Sequence, residues 1–125
     1  MSPRMVDAVL GPDLRVQESF DDVEWARALD KRLAEEMTQM MVANVSSGVA
    51  TGARIDGVEV AGKTGTSENG GKPYSLWFTG FAPANDPQVA VAVVVENGGG
   101  KGTSGSGNAI AAPIAKRVME AVLNK

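Results

Sequence analysis

Gly57-Val58-Glu59-Val60-Ala61-Gly62-Lys63-Thr64-Gly65-Thr66 is the stretch on which the fold of this chain turns. Val58 and Val60 alternate with polar or small neighbours, the period of a half-buried strand, and Glu59 to Thr66 is read as that strand. The strand ends in a cation and two hydroxyls around a glycine, a combination suited to holding an anion beside an acyl group. The same residues spell G-x-x-x-x-G-K-T from Gly57 to Thr64, the pattern of a phosphate-binding loop, and Val91 to Glu96 could pass for its magnesium-holding strand. A phosphate loop requires a strand before Gly57 and a helix beginning near Lys63. The alternation of Val58 to Ala61 and the breakers Gly65, Gly70, Gly71 and Pro73 speak against both.

Working outward, a glycine-rich loop is expected at Glu68 to Pro73, then a second strand over Ser75 to Ala82. A hairpin loop at Pro83-Ala84-Asn85-Asp86-Pro87 leads into a third strand over Val89 to Glu96. Short links between three consecutive strands predict an antiparallel meander. In the third strand Val89, Val91, Val93 and Val95 share one face, and Ala90, Ala92 and Val94 the other. Both faces call for burial, as in a central strand of a larger sheet. Upstream, Asp30 is placed to cap a helix over residues 31–46, in which Leu33, Met37, Met40, Met41 and Asn44 recur at three- and four-residue steps. The three methionines read as core filling. Ser46-Ser47-Gly48 ends the helix, and Asp56-Gly57 marks a turn. Before the helix, Val6, Ala8 and Leu10 alternate, Gly11-Pro12-Asp13 turns, and Leu14 and Val16 alternate again, predicting a short two-stranded excursion. After the third strand, Gly98 to Gly107 reads as a flexible glycine and serine tail. Ser106 or Asn108 then caps a last amphipathic helix built on Ile110, Ile114, Val118, Val122 and Leu123. The expected class is α+β: a three-stranded meander packed with an upstream amphipathic helix and a C-terminal helix.

Composition narrows the chemistry. The 125 residues carry 12 Lys and Arg against 15 Asp and Glu, a net charge of -3 with no basic run, so nucleic acid is not expected as a partner. The sequence contains no histidine and no cysteine, which removes imidazole acid/base chemistry, thiol catalysis, disulfides and the usual zinc sites. No metal and no cofactor is expected; catalysis would rest on Ser, Thr, Lys and carboxylates. The longest apolar run, Val89 to Val95, is far below the roughly 20 residues of a membrane helix, and Met1 opens no signal peptide, so the chain reads as soluble. The acid pairs Asp21-Asp22 and Glu35-Glu36 are read as solvated surface.

The order of these pieces resembles the C-terminal part of the transpeptidase domain of class B penicillin-binding proteins over essentially the whole chain, residues 1–125. The resemblance is carried by the helix, Gly57 to Thr66, Trp77-Phe78-Thr79-Gly80-Phe81-Ala82-Pro83, Val89 to Asn97, the glycine loop and the final helix. It implies that the meander is part of a five-stranded sheet, and that Lys63-Thr64-Gly65 borders an active site. Lys63 would supply positive charge, Thr64 and Thr66 would donate hydroxyl hydrogen bonds to a substrate carboxylate, and the Thr66 N–H would form half of an oxyanion hole. Gly65 would let a substrate backbone lie against the strand, and Trp77 would wall the cleft, though it reads equally as a core aromatic.

The implied reaction is peptidoglycan D,D-transpeptidation through an acyl-serine, with stem peptides and β-lactams as ligands and an extracytoplasmic, membrane-anchored parent. The sequence departs from the family in lacking any Ser-x-x-Lys. Ser67-Glu68-Asn69 and Ser106-Gly107-Asn108 match the middle Ser-x-Asn motif only in letters, since that motif belongs upstream of Lys63. The isolated chain is therefore expected to be inactive, and to self-associate through the open edge of strand 89–96. A catalytically silent binding module of the same fold is the alternative.

Overall fold

A computed structural model describes residues 5–21, 23 and 26–123, which divide into two compact units, residues 1–33 and 34–125. Of the acid pair Asp21-Asp22, Asp22 lies outside the described residues. The first unit holds a two-stranded antiparallel hairpin, β1 (Ala8–Leu10) and β2 (Val16–Ser19). Its turn closes with the Gly11 N–H on the Arg15 carbonyl and the Leu14 N–H on the Gly11 carbonyl, with Leu14 at φ 62°. Helix α1 (Lys31–Ser46) starts where the sequence places it, because the Asp30 carboxylate accepts from the Leu33 N–H at 2.9 Å.

The second unit is built on one sheet of order β3-β4-β5: β3 (Ala61–Asn69), β4 (Lys72–Ala82) and β5 (Val89–Val95), antiparallel throughout. One sheet face carries Leu76, Phe78, Ala82 and the odd-numbered valines of β5. It packs against the last turn of α1, the short 3-10 turn Thr51–Ala53, and helix α2 (Ala111–Leu123). The ring of Phe78 lies over two facing glycines, Gly62 and Gly80, which pair across β3 and β4. A Cβ on Gly62 would come within 2.4 Å of Phe78 Cζ.

Several expectations need correction. Strand β3 begins at Ala61, not Glu59, because residues 55–58 are taken up by a tight turn in which the Val58 N–H reaches the Ile55 carbonyl and Gly57 has φ 75°. The loop expected over Glu68 to Pro73 is instead a two-residue hairpin. Gly70 and Gly71, at φ 59° and 81°, supply the paired positive dihedrals of a primed turn, and Asn69 pairs with Lys72. A bulge absorbs Pro73, whose missing N–H would leave a gap in a regular ladder.

The segment 98–107 is packed rather than loose. Asn97, Gly98 and Gly99 all have positive φ, the Tyr74 N–H of β4 donates to the Gly102 carbonyl, and Gly98 and Gly107 are buried. Gly107 lies so close to β3 and β4 that a Cβ would come within 2.5 Å of the Trp77 carbonyl and 2.8 Å of that of Gly65.

On α1 only Val45 is buried; Met41 and Val42 are half-covered, and Met37 and Met40 are exposed, Met40 at 63%. The methionines are not core filling among the described residues, because only the last turn of the helix touches the sheet. On α2 the buried stripe is Ala111, Ala112, Ala115 and Met119, while Ile114, Val118 and Val122 are about 40% exposed (42%, 44% and 39%). Small side chains let the helix backbone approach the valine face of β5, and the larger residues fall on the far side. The second face of β5, Ala90, Ala92 and Val94, is exposed rather than buried. Ser106 caps the last helix through its Oγ and carbonyl, whereas Asn108 holds the Gly52 N–H at 2.7 Å.

Candidate functional site

Strand β3 lies at one edge of its sheet, with β4 as its only strand partner among the described residues. In an antiparallel ladder successive residues point their N–H and C=O groups alternately toward the partner and away from it. The Gly62 carbonyl accepts from the Asn44 side chain at 2.8 Å and the Thr64 carbonyl accepts from Lys63 Nζ, while the Glu59 carbonyl, of opposite parity, accepts from Ala84 N–H on the β4 side. Gly62, Thr64 and Thr66 therefore turn their main-chain groups toward the free edge, and Lys63 and Gly65 bond to Thr79 and Trp77 of β4. The Thr66 N–H thus points away from β4 at the free edge.

The side chains divide the other way. Lys63, Gly65, Trp77 and Thr79 share the open face of the sheet; Thr64 and Thr66 share the face of Phe78 and Leu76. Lys63 is exposed, Thr64 and Gly65 are half-buried and Thr66 is exposed. Neither threonine hydroxyl is engaged by another described residue. Gly65 leaves bare backbone beside the indole: a Cβ there would stand 3.3 Å from Trp77 Cβ. Trp77 is 45% exposed, so it is not a core aromatic in this chain.

The strand thus carries one ammonium beside an aromatic surface on its open face, two available hydroxyls on the other face, and an outward N–H on the edge between them. It can hold a carboxylate and an extended backbone, and it can place a hydrogen-bond donor on an oxyanion. It contains no nucleophile with an activating base. Ser67, one turn of pleat beyond Thr66, and Ser106, which caps α2, have no base among the described residues within their hydrogen-bonding range. No cluster of acidic side chains able to hold a metal ion occurs among the described residues.

The phosphate-loop reading of Gly57 to Thr64 fails on geometry. Lys63 and Thr64 sit inside β3, and no helix N-terminus lies behind them. What the sequence could not reveal is Asn44, eighteen residues upstream on α1, which bonds the strand immediately before Lys63. Nor could it show that a groove of about 400 Å³ lies elsewhere, between α1 and residues 54–60, with another along α1 and Ala84. The Lys63 edge itself is open.

Comparison with known proteins shows the family. The family description "Penicillin binding protein transpeptidase domain" matches residues 1–120. The peptidoglycan D,D-transpeptidase PbpA of Mycolicibacterium smegmatis is 40% identical, with 100% of this chain and 26% of that protein covered. PbpA of Mycobacterium tuberculosis is 41% identical over 98% of this chain and 26% of its own length. The solved ceftriaxone acyl-enzyme complex of penicillin-binding protein A from M. tuberculosis superimposes with a TM-score of 0.86 at 39% identity, covering 97% of this chain and 28% of that one. The chain spans about a quarter of the length of the curated relatives it matches.

Proposed function

The chain belongs to the penicillin-binding protein transpeptidase family, and from that membership we propose that it supplies the Lys63–Thr66 wall of a peptidoglycan D,D-transpeptidase active site. The observation that carries the reading is the free edge of β3, where the outward Thr66 N–H lies three residues from an exposed ammonium. A substrate strand laid along this edge pairs with the rungs at Thr64 and Thr66. Its carboxylate meets the hydroxyls of Thr64 and Thr66 and the charge of Lys63. As a serine attacks the peptide or β-lactam carbonyl, the developing oxyanion accepts from the Thr66 N–H, a preorganised donor worth about 3 kcal/mol in acyl transfer. With a peptide the scissile C–N bond breaks, the C-terminal residue leaves as a free amine, and an acceptor amine then attacks the acyl-serine ester and releases the serine; with a β-lactam the ring amide opens and the product stays on the serine. Gly65 keeps the strand surface clear for the substrate backbone, and Trp77 walls the cleft.

The attacking serine and its lysine belong to the parent, because the 125 residues contain no Ser-x-x-Lys. The parent is an extracytoplasmic, membrane-anchored enzyme acting on stem peptides. No helix among the described residues is long and apolar enough to cross a membrane. The isolated chain self-associates, since β5 presents a bare apolar edge.

Intact-mass spectrometry after incubation with excess benzylpenicillin tests the proposal. The isolated chain is expected to show no adduct, and the complete parent domain one adduct per molecule. A stoichiometric adduct on the isolated chain, or none on the complete domain, overturns it.

A further inference from the structure

We propose that Asn44 is a positioning residue that closes the free edge of β3 at Gly62 and so sets which rungs stay open to a substrate strand. The inference rests on the reading of that edge as the substrate-binding strand. Of the outward-facing groups on β3, the first carbonyl, that of Gly62, is already taken by Asn44 Nδ2 at 2.8 Å. The same amide is held at its other end: Oδ1 accepts from the Val49 N–H at 3.3 Å, and the Asn44 carbonyl accepts from the Ala50 N–H at 3.1 Å. A side chain pinned at both ends has little freedom left, so the clamp restrains Gly62 rather than following it.

The helix end that carries Asn44 is itself fixed. Arg54 donates through Nε to the Val45 carbonyl at 3.1 Å and through its terminal nitrogen to the Ser46 carbonyl. Both are among the last carbonyls of α1, which have no partner within the helix. Val45 is buried against the glycine that Asn44 holds: a Cβ on Gly62 would meet Val45 Cγ2 at 3.2 Å. The consequence for ligands is a defined starting rung. Among the described residues the Thr64 carbonyl accepts only from the exposed Lys63 ammonium, which is anchored by no second contact, whereas the Gly62 carbonyl is held by an amide fixed at both ends. A ligand strand therefore displaces the lysine contact and not the Asn44 one, so its pairing with β3 begins at Thr64 and its carboxylate comes into register with Thr64 and Thr66.

The chemistry separates the two ends of the amide. Asn44→Asp keeps an acceptor for the Val49 N–H, and thus the closure of the helix end, but has no hydrogen to give to Gly62. Amide hydrogen exchange on the 125-residue chain reads the difference. Lys63 and Gly65, whose N–H groups point into β4, are expected to lose about tenfold in protection in the variant, while Val91 and Val93 of β5 keep theirs. Unchanged protection at Lys63 and Gly65 overturns the clamp. Equal loss across β3 and β5 also overturns it, because Asn44 would then serve general stability only. In the complete parent domain, the same substitution is expected to slow benzylpenicillin acylation about tenfold. A variant acylated at the wild-type rate removes the positioning role. A wild-type domain that is not acylated at all removes the substrate reading, and leaves the exchange result for Asn44 standing.

Discussion

Lys63 and Gly62 are neighbours with opposite tasks, and single substitutions separate them. Lys63 is exposed, and its Nζ bonds only the carbonyl of the next residue among the described residues. Lys63→Ala is expected to change stability by less than about 0.5 kcal/mol in urea denaturation. The same change is expected to slow β-lactam acylation of the complete parent domain by about 10²- to 10³-fold, the cost of losing a preorganised charge or donor. The missing side chain of Gly62 answers to packing, while its carbonyl is held by Asn44. Because Phe78 covers it, Gly62→Ala is expected to destabilise the chain by about 1–3 kcal/mol, and an unchanged urea midpoint would contradict the packing described. The Lys-Thr-Gly-Thr run was legible in the sequence through the order of the helix, strands and glycine loop around it and not through the four residues alone. The glycine under Phe78 was not, since the two residues are sixteen apart and meet only through the register of β3 with β4.

Elements were legible wherever local chemistry decides them and misread wherever a neighbour does. Helix α1 runs from Lys31 to Ser46 as the Asp30 cap and the Ser46-Ser47-Gly48 stop require, and β4 and β5 follow their hydrophobic period. Gly70 and Gly71 read equally as loop or turn until strand pairing is known, and they turn out to form the hairpin. Gly71→Ala, at φ 81°, is expected to cost about 1 kcal/mol in thermal unfolding. Helix α2 shows the limit of periodicity. Ile114, Val118 and Val122 form an apolar stripe as regular as the one that is buried, yet the sheet takes Ala111, Ala115 and Met119 because small residues allow closer approach. Ala115→Leu is therefore expected to destabilise by about 1–3 kcal/mol by overpacking, whereas Val118→Thr is expected to stay within about 0.5 kcal/mol. Paired melting curves with the opposite ranking would mean that α2 packs by its other face.

At the scale of the whole molecule, the sheet is finished on one face and open on the other. Ala90, Ala92, Val94 and Trp77 are exposed, and β5 has a bare edge among the described residues. Sedimentation velocity of the isolated chain is expected to show concentration-dependent association, reduced by Val94→Lys, because a lysine on an edge strand opposes pairing with a second copy. A clean monomer at every concentration would remove the self-association proposal. The sequence by itself determined the α+β class, the three-strand meander and the two main helices. Each of these depends on local propensity, capping and periodicity, which act within about a dozen residues. Only the tertiary structure decided which face of each helix is buried, that residues 98–107 close over β3 and β4, and that Asn44 holds the strand just before Lys63. These depend on contacts between residues far apart in the chain, whose energies come from shape and register that no single segment encodes.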